Sequence, residues 1–215
     1  MKTRTYLIIA VLALLLADIA AAQSADVTST AAPFLQIGIG TRGAAMGEAF
    51  SPVPEGIDSL NWNPAGIVNM NGLEANIVYS KWIQETSFTS LTMGLPMGSA
   101  AIAGGINFLS YPTIEMFNGP APTDKVGETT PKDMVALLGF GLAFDEEKTI
   151  LVGAAGKYFS ETIVDTSYST IALDLGLSVA VMPGELYLGA AAQNLIGKIK
   201  DYDIPQVIRG GAAYR

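Results

Sequence analysis

The chain has 215 residues with 12 basic and 20 acidic side chains, a formal charge of −8, 23 glycines and neither His nor Cys. Without Cys or His there is no thiol nucleophile, no disulfide frame, none of the commonest zinc sites and no Ser-His-Asp triad, and the acidic balance opposes the Lys/Arg clusters that nucleic-acid backbones require. Half of the residues are hydrophobic and the mean hydropathy is positive, which suits a membrane protein better than a soluble domain of this size.

Lys2 and Arg4 precede a 12-residue apolar run, Tyr6 to Ala17, and small residues follow at Ala20-Ala21-Ala22. A spanning helix needs roughly 20 apolar residues, so residues 1–22 read as a secretory signal peptide and the mature chain is expected to begin near Gln23. Residues 23–70 then break the rhythm of everything that follows. Phe34 to Phe50 is Gly-rich, with the run Arg42-Gly-Ala-Ala-Met-Gly-Glu-Ala-Phe50, and Glu55 to Gly66 predicts a short helical turn. Asn63-Pro64 stops that turn, because the residue before a proline is pushed out of the α region.

From residue 71 the pattern changes to strands. After residue 22 no apolar stretch reaches about 18 residues, and the most apolar one, Met134 to Phe144, is bracketed by Asp133 and Asp145 after 11 residues. That length fits a tilted transmembrane strand of roughly 9–11 residues. Strands are predicted at 73–81, 87–95, 99–110, 133–144, 149–161, 168–182, 185–195 and 206–214, with 133–144 paired to both of its sequence neighbours. Alternation is clearest in the sixth, where Ile171, Leu173, Leu175, Leu177, Val179 and Val181 oppose Thr170, Asp174 and Ser178; in the first, Leu73, Ala75, Ile77 and Tyr79 oppose Glu74, Asn76 and Ser80. A soluble β-sandwich alternates in the same way. The signal peptide and the Gly105, Gly139, Gly141, Gly153 and Gly189 positions favour an antiparallel up-and-down transmembrane β-barrel over residues 71–215, with Glu74, Asn76, Thr92, Asn107, Lys157 and Asp174 facing inward as a solvated wall or as ligand contacts.

Connection lengths point the same way. Tight links at 96–98, 145–148 and 183–184 alternate with looser ones at 82–86, 111–132, 162–167 and 196–205, as expected of short periplasmic turns and longer external loops. The longest, 111–132, contains Pro112, Pro120, Pro122 and Pro131 and is expected to be an exposed surface loop. Tyr79, Trp82, Phe108, Tyr111, Phe144, Phe159 and Tyr168 fall near strand ends, where an aromatic girdle sits.

The Arg42-Gly-Ala-Ala-Met46-Gly-Glu-Ala-Phe50 segment, the acidic turn around Asp58 and Leu60-Asn-Trp62-Asn63-Pro64-Ala65-Gly66 together resemble the start of the PorV/PorQ family of outer-membrane β-barrels, itself similar to the FadL long-chain fatty-acid transporters. The resemblance covers roughly residues 34–70; Ser51-Pro-Val-Pro-Glu55 departs from it, with two prolines where the family runs a strand. It implies an N-terminal hatch inside a barrel. Arg42, Met46, Phe50, Asp58, Trp62, Asn63, Pro64 and Ala65 are its candidate hatch residues, with Arg42 and Asp58 as a possible buried ion pair or as solvated side chains, and Trp62 as a packing anchor or simple space-filler. A barrel of about eight strands is filled by its own side chains, so eight strands plus a hatch, in a chain that stops at Tyr214-Arg215 without the usual terminal aromatic, lead one to expect an incomplete barrel.

The resemblance further implies a protein of the cell outer membrane of a diderm bacterium that assists export or surface attachment of secreted proteins through type IX secretion. Its partners would be outer-membrane lipid, secretion components and exported cargo. The alternative is FadL-like passive transport of hydrophobic small molecules. No catalytic, cofactor-binding or metal residue is singled out, and the missing His base argues against an enzyme.

Overall fold

A computed structural model describes residues 31–53, 55–119, 125–164 and 166–214. Segment 1–22, Pro120, Pro122, Asp124 and Arg215 lie outside these residues. Among those described, the strands in chain order are β1 (Glu74–Lys81), β2 (Ser87–Met97), β3 (Ala100–Ser110), β4 (Ile114–Phe117), β5 (Lys125–Thr129), β6 (Lys132–Ala143), β7 (Ile150–Ile163), β8 (Thr166–Met182), β9 (Leu186–Gln193), β10 (Lys198–Ile199), β11 (Tyr202–Asp203) and β12 (Val207–Tyr214). Eight of them form one sheet in the order β1-β2-β3-β6-β7-β8-β9-β12, and every neighbouring pair is antiparallel. β6 pairs with both β3 and β7, as expected. The fold is mainly antiparallel β, and β1 and β12 are the two edges of the sheet, with no ladder joining them among the described residues.

Each long strand has a packed face and an open face. In β6, Asp133, Val135, Leu137, Gly139, Gly141 and Ala143 are buried, whereas Leu138 and Phe140 between them are 62% and 50% exposed. The middle of the open side is apolar: Ile77, Leu91, Met93, Ile102, Ile106, Tyr158, Ile171, Leu175 and Ile208 all lie on it and are exposed, whereas its row at the long-connection end, from Lys81 through Ser87, Ser110, Lys132 and Thr162 to Ser167, is polar. A soluble sandwich would cover such a face with a second sheet, yet the remaining described strands form only the small hairpins β4–β5 and β10–β11.

What packs the other face is the chain's own beginning. Residues 33–69 form a 3-10 turn (Pro33–Gln36), the short helix α1 (Thr41–Ala45) and two further 3-10 helices (Ile57–Asn61 and Pro64–Asn69). This segment touches all eight strands, from Asn76 on β1 through Gly153 on β7 to Arg209 and Gly211 on β12. Asp58 bonds Asn76 on β1 while Trp62, four residues on, stacks with Arg209 on β12; a flat eight-stranded sheet would hold those edges about 34 Å apart at roughly 4.8 Å per strand, so the sheet curls around the segment with its packed face concave. Eight strands hold an insert of this length because glycine and alanine line the middle of the concave face, leaving the space that larger wall side chains would occupy.

Two connections differ from the sequence expectation. The 162–167 region is not a loose loop: β7 and β8 stay paired until Ile163 meets Thr166, stapled by the Thr162–Ser167 hydroxyl pair, and β6 follows β7 as far as Lys132–Thr162. Within 111–132, β4 pairs with β5, and Lys125 bonds Glu115 at 2.7 Å and also bonds Glu128; these hydrogen bonds hold the Lys125 ammonium above its usual pKa. Tyr111 at the base of that loop donates to Asp133 at 3.0 Å, and burial followed by the adjacent carboxylate pushes its phenol well above the usual range, keeping it a donor. The expected aromatic girdle also divides. Tyr79, Trp82, Phe108 and Phe144 are exposed, whereas Phe159 is fully buried and Tyr111 and Tyr168 pack on the concave side.

Candidate functional site

The site is the interface between residues 31–70 and the concave face, and its centre is a glycine track. A Cβ added to Gly139 would come within 2.5 Å of Leu60, and one on Gly141 within 2.7 Å of Val68. At Gly153 it would overlap the Pro64–Ala65 backbone and at Gly176 the Asn63 side chain, while Gly189 and Gly211 stand against Ser51 and Pro52. These strands therefore carry glycine where helix backbone passes at contact distance, a positional use distinct from turn-making.

Asn63-Pro64 is the pivot of the insert. Trp62 ends the first 3-10 helix, Asn63 is extended, and Pro64 opens the second helix with its fixed φ. The Asn63 side-chain oxygen accepts from the Ala65 N–H at 3.2 Å and caps that helix, while its Nδ2 donates to the carbonyls of Ser51 at 2.9 Å and Leu177 at 3.0 Å. One buried amide thus joins insert to insert and insert to wall. Pro64 and Ala65 are buried over Gly153, and Phe50 is buried with Trp62, its ring 6.3 Å away at 63°.

Trp62, 1% exposed, is clasped on every side. Its Nε1 donates to the Ile39 carbonyl at 2.6 Å, the Arg209 guanidinium of β12 lies 4.9 Å from its ring, and the indole rests directly on the backbone at Gly38 and Gly43. That contact explains the Gly-rich run before Phe50: a Cβ at Gly43 would penetrate the indole. Arg209 also donates to Gln193 at 3.0 Å and pairs with Glu48 at 3.1 Å, tying the β12 edge to the insert. On the β1 edge Asp58 accepts from Asn76, and Glu74 accepts from the N–H groups of Ile57 at 2.9 Å and Asn71 at 3.1 Å.

The Arg42–Asp58 pair expected from the sequence does not form. Asp58 turns toward Asn76 on β1, whereas Arg42, on the exposed helix α1, reaches Glu55 at 2.8 Å and lies 5.5 Å from the Phe50 ring; the pair is half exposed. Met46 at the end of α1 is 45% exposed and belongs to the rim. The structure thus brings Phe50, Trp62, Asn63, Pro64 and Ala65 together and leaves Arg42 and Met46 at the edge.

The inward polar side chains of the wall form bonds, not a solvated lining. Lys157 and Asp174 make an ion pair of 2.6 Å with side chains 8% and 0% exposed. Asp174 also accepts from the Asn194 N–H at 2.9 Å, and Lys157 donates to the Asn194 side chain at 3.1 Å. Gln193 carries the network to the insert through the Asn61 carbonyl at 2.9 Å, and Asn107 donates to the Asn61 side chain at 3.2 Å while accepting from Ser90 at 2.6 Å. Asn61, Gln193, Asn194 and Arg209 were not singled out from the sequence, because nothing local to them marks contacts with partners far along the chain, 37 residues for Asn194–Lys157 and 161 for Arg209–Glu48. Between this network and the first residues of the insert there remains a cavity of about 20 Å³, lined by Phe34, Asn61, Asn107, Lys157, Gln193 and Arg209 among others. It has room for about one water molecule. In comparisons with protein-family models, with curated proteins and with solved structures, nothing matches the chain.

Proposed function

We propose that this is an outer-membrane protein of the PorV/PorQ type, in which the convex face of the sheet meets lipid, the insert acts as a plug, and the long-connection end assists export or surface attachment of secreted proteins. The observation that carries the reading is the pairing of an exposed, apolar convex face with a filled, polar concave side. An exposed apolar face this broad has no place in water, and β2, β3 and β6 to β9, each flanked by two antiparallel neighbours, suit hydrocarbon along their paired lengths. A filled interior suits a platform better than a conduit. The FadL-like alternative needs an apolar path for its solute; the small internal cavity is lined by Asn61, Asn107, Lys157, Gln193 and Arg209, and the larger open cleft at the tight-turn end, about 610 Å³, by Arg42, Glu55, Glu74, Glu147 and Lys148 among others.

Deleting residues 113–130 removes β4–β5 but keeps its base, where the Tyr111 N–H bonds the Pro131 carbonyl at 3.2 Å. Long loops add little closure entropy, so the deletion is expected to fold and to impair release or attachment of surface proteins, with fatty-acid uptake unchanged. Normal export from the deletion, beside defective uptake on changing Asn63 or Pro64, would overturn the reading in favour of solute transport. Fractionation is expected to recover the protein with outer membranes, and recovery in the periplasm would refute the location.

A further inference from the structure

The outer edges of β1 and β12 have no ladder partner among the described residues. Both strands are eight residues long, contain no proline, and pair with β2 and β9 without a bulge. Glu74 and Arg209 are occupied on the concave side, which leaves Lys81 as the one charge on the convex side of either strand. Edges that are kept from pairing are usually short, bulged, charged or interrupted by proline, and these are not. The two edges of one chain are held apart by the insert, where Asp58 bonds Asn76 on β1 and Trp62 stacks with Arg209 on β12.

Direction and register decide what such edges fit. Eight alternating strands leave β1 and β12 running in opposite directions, so β12 of a second copy lies antiparallel beside β1. Ladder partners carried across the sheet put Ile77 level with Ala136 of β6, and Ala212 level with Phe144, eight residues further on. Setting Ile77 beside Ala212 of a second copy therefore slips the ladder by eight residues over eight strand steps. That is about 26 Å along the strands for about 38 Å across them, a tilt of about 35°, and closed barrels tilt by roughly 35–45°. The neighbouring register that also matches the two faces, Ile77 beside Gly210, gives only about 27°. In the first register three of the four convex pairs set a large side chain against a small one: Tyr214 with Ala75, Ile77 with Ala212, and Tyr79 with Gly210, an aromatic covering an edge glycine. The fourth sets Lys81, at the polar row of the long-connection end, beside Ile208.

We propose that β1 and β12 are a dimer interface, at which two copies join β1 to β12 along two seams related by a twofold axis and close a sixteen-stranded barrel around both inserts. This rests on the membrane placement above, because in hydrocarbon an unpaired strand edge has no water to satisfy it. A second copy satisfies both edges at once and leaves none to recruit a third. It also gives the insert its room, since a barrel of about eight strands is filled by its own side chains whereas one of about sixteen encloses a channel.

The test uses the full chain in detergent micelles. Native mass spectrometry is expected to give twice the mass of a single chain, and a single-chain mass from protein with strand-rich circular dichroism overturns the proposal. The seam itself is read by disulfides, because the chain has no Cys of its own. Ile77→Cys and Ala212→Cys are made in separate chains and refolded together. Since a disulfide needs Cα atoms within about 7 Å, oxidation of the mixture is expected to yield at least about tenfold more covalent dimer than either variant alone. The double variant Ile77→Cys with Ala212→Cys should also form a covalent dimer, and Ile77→Cys with Ile208→Cys, four residues out of register, should not. An internal disulfide in a single chain, self-linking by Ile77→Cys alone, or equal linking in the out-of-register pair would each overturn the interface. A single-chain mass beside recovery with outer membranes removes this inference alone; the disulfide dimer in protein recovered from the periplasm removes the membrane reading and leaves the interface.

Discussion

The two halves of the insert are held by different physics. Residues 57–69 nest in the glycine track: Leu60, Trp62, Asn63, Ala65, Ile67 and Val68 are buried, and backbone meets backbone where the wall has no side chain. Residues 41–48, together with Glu55, form the rim, where Arg42–Glu55 and Arg209–Glu48 bridge through partly exposed side chains. Shape fixes the first half in one place because a close-packed surface has few alternative registers. Charge fixes the second loosely, since exposed ion pairs contribute little and salt screens them. The boundary between the two is Trp62, which belongs to the nested half and is gripped by Arg209 from the rim's side.

Breaking the nested half should have the largest effect. Trp62→Ala removes the side chain that joins Gly38, Gly43, Phe50 and Arg209 and is expected to cost about 3–5 kcal/mol, read by urea unfolding in micelles followed by circular dichroism. Asp174→Ala leaves Lys157 buried without its counter-charge and should cost a similar amount, about 3–5 kcal/mol. The double change Lys157→Met with Asp174→Leu should recover most of that loss, because it removes both desolvation penalties. If the double variant is as damaged as the single one, the network holds the insert through more than the pair.

Two smaller effects sharpen the contrast. Gly153→Ala places a methyl group against the Pro64–Ala65 backbone and should destabilise by about 1–3 kcal/mol, whereas Gly156→Ala on the same strand, with open space around it, should change stability by about 0.5 kcal/mol or less. Equal effects at the two positions would remove the glycine track as an explanation. Arg42→Ala should cost about 1 kcal/mol at most, and that loss should fade in high salt.

The parts of this arrangement that could be read from the sequence are those with a local signature. The strands at 99–110, 133–144 and 206–214 lie within a residue or two of their structural counterparts because alternation of apolar with small or polar residues is written into each strand independently of its neighbours. The break at Asn63-Pro64 was legible for the same reason, and so was the inward direction of Asp174 and Asn107. What stayed hidden depends on distant partners. Nothing near Asp58 says that Asn76 will satisfy it before Arg42 does, and nothing near Gly153 says that Pro64 will lie on it. The pairing of β4 with β5 was obscured by prolines that read as an irregular loop, and the close pairing of Ile163 with Thr166 by a Val-Asp-Thr-Ser stretch lacking the usual turn glycine. Phe34 read as one apolar residue among several, because its pocket is assembled from Phe88, Phe159, Ile199 and Ile204.

In the proposed function the convex face meets hydrocarbon while the concave face is filled by the insert. Because the chain has no Cys, single cysteines carrying spin labels can be placed freely for accessibility measurements in lipid bilayers. Labels at Ile77, Leu138 and Ile171 on the convex face are predicted to be reached by oxygen and shielded from a water-soluble nickel chelate, and labels at Val135 and Ala155 on the concave face to be shielded from both. Nickel-chelate accessibility at Leu138 equal to that at Thr129 in the exposed hairpin would contradict the account.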